Sequence, residues 1–194
     1  MTESTETRQF EIHPILSQRM SPRAYSSEFV LTPERLGPLF EAARWSASSG
    51  NSQPWRFVVG FRGDKNFDMI VGSMAEGNAI WAHKASAVVA NITEMVRENG
   101  KPQTHGVYDL GQSVAHFSVQ ATAEGLLVHQ MSGFDPDKLG AELGLDERFR
   151  VITLLTVGVL GDIADLPEHL QVREVEPRVR KPLSTFVSGS VNYS

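Results

Sequence analysis

The sequence predicts an α+β domain in which a small sheet is covered by helices. Three observations carry this. Runs rich in β-branched and aromatic residues at 55–61 (WRFVVGF), 86–93 and 151–160 (VITLLTVGVL) read as strands. Stretches with helical spacing and start signals are interleaved with them, as in α+β or α/β chains with a small sheet. One segment, 108–129, is long and apolar enough to be a helix buried at the centre.

The elements follow in order. Residues 1–10, rich in Thr, Ser and Glu, read as a disordered or loosely held start, and 11–194 as a single domain. A short helix begins near Pro14 and ends before Pro22. Thr32, Pro33 and Glu34 make a cap, a first-turn proline and a first-turn acid. Leu36, Leu39, Phe40 and Ala43 then repeat at helical spacing to about Trp45. The loop SASSGNSQP leads into the strand at 55–61, and Gly63-Asp64 turns the chain into a helix over 67–75. After the second strand, 98–106 is a loop. The segment YDLGQSVAHFSVQATAEGLLVH (108–129) carries Leu110, Val114, Phe117, Val119, Leu126 and Leu127. Its small residues Gly111, Ala115, Ser118 and Ala121 permit close helix approach, within the fold or across a dimer. Asp135-Pro136 repeats the cap-and-proline signal for a helix over 136–143. The run at 151–160 suits a strand buried on both faces. Residues 162–194, charged and proline-containing, read as a tail over the surface or a partner subunit.

Composition narrows the chemistry. The chain has 194 residues and no cysteine, which excludes disulfides, thiolate metal ligands and a cysteine nucleophile. A net charge of −5 argues against a broad nucleic-acid surface. No run of roughly 18 apolar residues suggests a membrane span, and the polar start lacks a signal core; a cytoplasmic protein is expected. The six histidines, among them His116 and His129 within the long helical segment, form no HExxH or close metal cluster. GxSxG, GxGxxG and GxxxxGK[ST] are all missing, which leaves no signal for a hydrolytic elbow, a Rossmann turn or a P-loop.

Four segments remain. Arg19, Ser21 and Arg23 recur at steps of two, so in an extended stretch they share one side. Two guanidinium groups with a hydroxyl between them can clamp a phosphate, or simply be solvated. Ser48, Ser49, Asn51 and Gln53 crowd amides and hydroxyls into one loop, suited to a heterocycle edge or a polyol chain, although a polar loop is ordinarily a turn. Gln130, Met131, Ser132 and Gly133 follow the long apolar segment, where a glycine lets backbone approach a planar ligand. Arg178, Arg180 and Lys181 form a second basic cluster.

In this order and spacing the segments resemble the nitroreductase family of FMN-dependent NAD(P)H oxidoreductases, over about residues 15–183. The R-x-S-x-R at 19–23, the S-x-x-N-x-Q-P-W at 48–55, and the helix YDLGQSVAHFSVQATAEGL with its following GFD carry the resemblance. It implies a three-layer α/β/α fold with a central, mostly antiparallel mixed sheet and a long buried helix, homodimeric, with FMN at the subunit interface. It implies hydride transfer from NAD(P)H through the flavin to a small acceptor such as a nitroaromatic or quinone, in a ping-pong cycle. Alternatives are a flavin-storage protein or a flavin-fragmenting or dehalogenating relative. By the same resemblance Arg19, Ser21 and Arg23 hold the phosphate and ribityl end, with Arg180 and either Lys181 or Arg178. Ser48, Ser49 and Asn51 reach the partner's flavin, and Asn78 contacts the ring or ribityl. Met131 belongs to the flavin-contacting turn, in which Ser132 and Gly133 bring backbone N–H groups to N5 and O4. No side chain serves as a catalytic group and no metal is needed. The chain departs from the family in having Ala47 before the two serines, Gln130-Met131-Ser132 in the turn, and a shorter length. The family's helices over the substrate face are therefore expected to be missing.

Overall fold

A computed structural model describes residues 10–190 of the chain. All of the expected loose start except Phe10 therefore lies outside the described residues. The described residues form seven α-helices and four strands, in the order α1 (Pro14–Gln18), α2 (Pro33–Arg44), β1 (Trp55–Phe61), α3 (Lys65–Gly72), α4 (Glu76–Ala82), β2 (Ala87–Glu94), α5 (Gly106–Ala123), β3 (Leu127–Met131), α6 (Pro136–Glu142), β4 (Phe149–Gly158) and α7 (Glu168–Val175). The sheet order is β1-β2-β4-β3. All three ladders among the described residues are antiparallel.

The sheet is buried on both faces because its strands alternate side chains between two apolar layers. Val88, Ala90, Ile92 and Leu154 face Phe67 and Ile70 of α3, Trp81 of α4, Leu139 of α6 and Leu170 of α7. Ala87, Val89, Leu155 and Val157 face Leu36, Leu39 and Ala43 of α2 and Leu110, Val114, Phe117 and Ala121 of α5. The result is the three-layer α/β/α arrangement. Gly60 lets α3 cross β1 closely, since a Cβ there would lie 2.2 Å from the Phe67 amide nitrogen.

The expected helix over 108–129 is corrected: it is a helix followed by a strand. Gly125, at φ +70°, ends α5. The Leu126 amide donates to the Ala121 carbonyl (2.8 Å) and the Gly125 amide to that of Thr122 (3.1 Å), a Schellman closure. Leu127 onward pairs with β4, so His129 lies on β3 and not on the helix. α5 also buries the polar residues Asp109, Ser113 and Ser118. The helix expected over 67–75 spans 65–72, started by Asp64, which accepts from the amides of Phe67 (2.8 Å) and Phe61 (2.9 Å). Two helices had no sequence signal. α4 lacks a side-chain cap, and α7 lies within the stretch expected as a tail, placing Leu170 in the core.

Candidate functional site

The segment leaving α1 is extended and held from three sides. Arg178 donates from Nη1 to the Arg19 carbonyl and from Nη2 to the Ser17 carbonyl, both at 2.8 Å. Glu174 of α7 accepts from the Arg23 amide at 2.6 Å and the Ala24 amide at 3.4 Å, and its other oxygen lies 3.4 Å from Arg23 Nη1. On β3, His129 Nδ1 lies 2.9 Å from the Pro22 carbonyl. A carbonyl only accepts, so the imidazole proton sits on Nδ1.

The two basic clusters meet here. Arg19 Nη1 donates to Ser21 Oγ at 3.2 Å. Burial first, then the charges of Arg180 and Arg178, push the Arg19 guanidinium below its usual range. Cations held this close repel one another and favour an anion between them. Arg178 has both terminal nitrogens on backbone carbonyls and Arg23 is paired with Glu174. Arg180 Nη1 donates to the Val179 carbonyl (2.8 Å), and exposed Lys181 is next in the chain; Arg19, Ser21 and Arg180 are thus less fully engaged than Arg178 and Arg23.

A second cluster joins two turns. The Gly133 carbonyl accepts from the Ala75 amide (2.9 Å) and from Asn78 Nδ2 (3.0 Å), and the Asp135 amide donates to the Ser73 carbonyl (2.8 Å). A Cβ on Gly133 would lie 2.7 Å from Asn78 Nδ2, so glycine keeps this contact open. Met131 is buried and pairs with Leu154. Among the described residues, the Ser132 and Gly133 amides donate to no other group, with Ser132 exposed and Gly133 half-buried. Two adjacent free N–H groups in a braced turn are ready donors for acceptor atoms of a planar ligand.

The third cluster, the 48–53 loop, sits elsewhere. The Ser49 amide donates to Asp109 Oδ2 (3.1 Å), Ser48 Oγ accepts from the Gln53 amide (3.0 Å), and Asn51 Oδ1 from Gln53 Nε2 (3.1 Å). Asn51 (φ +55°) and Gln53 (φ +45°) are left-handed, a strain of about 1–2 kcal/mol each. Ser49 and Asn51 are exposed. This loop touches α5 at Asp109, while β3 touches it at Ser118 through Gln130 Nε2 (3.1 Å). Nine residues of helix span about 13 Å. One chain therefore brings 19–23, 178–180, 78 and 131–133 around β3, but leaves 48–53 at the other end of α5.

Sequence reasoning missed Glu174, His129 and Asp109, whose partners are remote in the chain. His129 packs on Trp81, ring centroids 4.6 Å apart. Its pKa is lowered by burial first; the bond to Pro22 opposes this, the Arg23 charge adds to it and Glu174 opposes it. The unfolded imidazole thus binds a proton more readily than the folded one. This contribution to stability is complete above the ordinary value of 6.5 and is lost as pH falls below it. Urea titrations at pH 7.5 and 5.5 are expected to show a larger acid loss for the native protein than for His129→Gln, whose amide donates to the same carbonyl without titrating. Equal losses would exclude His129 as the source.

The nitroreductase family model matches residues 16–96. The chain is 31% identical over 136 residues to an uncharacterized 15.4 kDa protein in the ask 5′ region of Mycolicibacterium smegmatis, covering 66% of this chain and 90% of that one. It is 46% identical over 50 residues to the major NAD(P)H-flavin oxidoreductase of Aliivibrio fischeri, covering 24% of this chain and 23% of that one. A crystal structure of an oxidoreductase containing FMN superposes with a TM-score of 0.90 at 29% identity, covering 98% of both chains.

Proposed function

The chain belongs to the nitroreductase family, and from that premise we propose that it is an FMN-dependent oxidoreductase that takes electrons from NAD(P)H and passes them to a small acceptor such as a nitroaromatic or quinone. The observation that carries this reading is the meeting of Arg19, Ser21 and Arg180, from opposite ends of the chain, on the flank of β3 that ends in two unpaired amides. The donor set fits the group: cations and a hydroxyl for a phosphate, bare backbone N–H groups for ring acceptors, and a glycine where a Cβ would meet Asn78. Bound FMN supplies hydride chemistry that the side chains here cannot.

The protein's part is binding and orientation. Arg19, Ser21 and Arg180 would hold the phosphate, with Lys181 as a further cation. The Ser132 and Gly133 amides would donate to the N5 and O4 acceptors of the ring and so orient it. Asn78 and Ala75 brace that turn through the Gly133 carbonyl, which keeps the amides aimed. No proton-transferring side chain is required. A ping-pong cycle follows from donor and acceptor using one face in turn.

The working unit is a homodimer. The exposed strip of α5 carries Gly111 and Ala115, small enough for close packing against a second copy, beside the exposed ring of Tyr108. The 48–53 loop, some 13 Å along α5 from its own chain's β3 contact, would serve the partner's site. Sedimentation at micromolar concentration is expected to give a dimer; a stable folded monomer would contradict it. Among the described residues no helix is long and apolar enough to cross a membrane, and the reading places the protein in the cytoplasm, with its nicotinamide supply.

Anaerobic titration of the FMN-loaded protein with NADH and NADPH tests the activity. Bleaching of the flavin absorbance by one of them, and its return on adding a quinone, is expected. Tight FMN binding without bleaching would indicate storage instead.

A further inference from the structure

We propose that Glu174 is a positioning residue for the flavin site: it clamps the backbone after the R-x-S-x-R segment and pairs with Arg23, so that Arg23 stands beside the ligand as half of a neutral pair. This rests on the FMN reading above and assigns a role to a residue outside its motifs.

The Glu174 side chain is 3% exposed. A carboxylate so far from water needs donors, and Arg23 and Ala24 provide them: two amides at 2.6 and 3.4 Å and a guanidinium nitrogen at 3.4 Å. The 2.6 Å contact is short, as expected of a charge-assisted bond. Its placement has a reason. Arg19, Arg178 and Arg180 already crowd this edge, and each further uncompensated cation would add to their mutual repulsion. Glu174 removes Arg23 from that sum while fixing the chain two and three residues past Ser21. The titratable groups around the carboxylate are Arg23, His129 and Tyr25, and its charge acts on the last two. Because the clamp comes from α7, the C-terminal helix sets the geometry of a segment 151 residues away.

Two measurements test this. In FMN-free protein, amide hydrogen exchange at Arg23 and Ala24 is expected to be about 10-fold faster or more in Glu174→Ala, the worth of one charge-assisted bond. Wild-type rates at both amides would overturn the clamp. In FMN-loaded protein, Glu174→Gln leaves Arg23 uncompensated and is expected to shift the flavin midpoint potential positive. Arg23→Gln is expected to shift it negative, and the double variant R23Q/E174Q to return towards the wild-type value. Potentials that stay at the wild-type value in all three variants, or shifts of the same sign that add in the double, would overturn the neutral pair. If wild-type protein bound no FMN, the flavin reading would fall by itself, and the exchange measurement would still decide the clamp.

Discussion

Arg19→Ala is expected to weaken FMN binding about 10- to 100-fold, as one charge-assisted phosphate bond is worth about 1.5–3 kcal/mol. Three features make this position the one to test. Arg19 lies at the junction of the two basic clusters, with Arg180 and Arg178 both acting on it. It already points at Ser21 Oγ, the hydroxyl that completes the donor set. Among the described residues it has no carboxylate partner, whereas Arg23 is paired with Glu174. Removing Arg19 also relieves repulsion among the cations, so the protein without FMN is expected to keep or slightly raise its stability. Fluorescence titration with FMN, beside urea unfolding of the FMN-free protein, separates the two effects. Unchanged affinity would place the phosphate elsewhere. Arg23→Ala is expected to disturb affinity less than Arg19→Ala, since it removes a neutralised cation.

Trp81→Ala is expected to destabilise the protein by about 3–5 kcal/mol, the range for deleting a large buried aromatic. Trp81 is 1% exposed in the layer formed by α3, α4 and α6, and its Nε1 donates to the Gly77 carbonyl at 3.0 Å. It stacks on Tyr25, centroids 6.3 Å apart, and packs on His129. Those two rings underlie the site. His129 holds the Pro22 carbonyl, and Tyr25 bridges to Leu160 while its hydroxyl accepts from Thr156 Oγ1 at 2.9 Å. A cavity beneath them loosens the 19–25 segment, so FMN affinity falls along with stability. Trp81→Phe keeps most of the packing and is expected to cost less. Urea midpoints measure both variants; a loss under 1 kcal/mol for the alanine variant would mean that the layer closes over the gap.

The sheet's interior was readable because β1, β2 and β4 carry dense β-branched runs, and α2 because its apolar positions and first-turn proline agree. β3 was hidden by its neighbour: LVHQM continues the apolar content of α5, and a five-residue strand offers too few positions to set its own period. Gly125 was the available signal, since a glycine after a helical pattern marks a C-terminus. α4 and α7 bury few side chains (Trp81 and Ala82 in one, Leu170 in the other), so neither shows an amphipathic stripe. In the site, the step-of-two spacing of Arg19, Ser21 and Arg23 and the basic residues at 178–181 could be read locally. What each arginine does could not. Pairing of Arg23 with Glu174, and of Arg178 with the carbonyls of Ser17 and Arg19, is fixed by contacts over 150 residues apart in the chain. The tie between Asn78 and Gly133 likewise exists only once α4 and β3 are docked.

The most direct test of the flavin site is a crystal structure of the protein grown with FMN. One FMN per chain is expected, its phosphate on Arg19, Ser21 and Arg180, its ring edge at the Ser132 and Gly133 amides, and the 48–53 loop of a second copy against it. FMN seated away from β3, or a crystal grown in excess FMN that contains none, would contradict it.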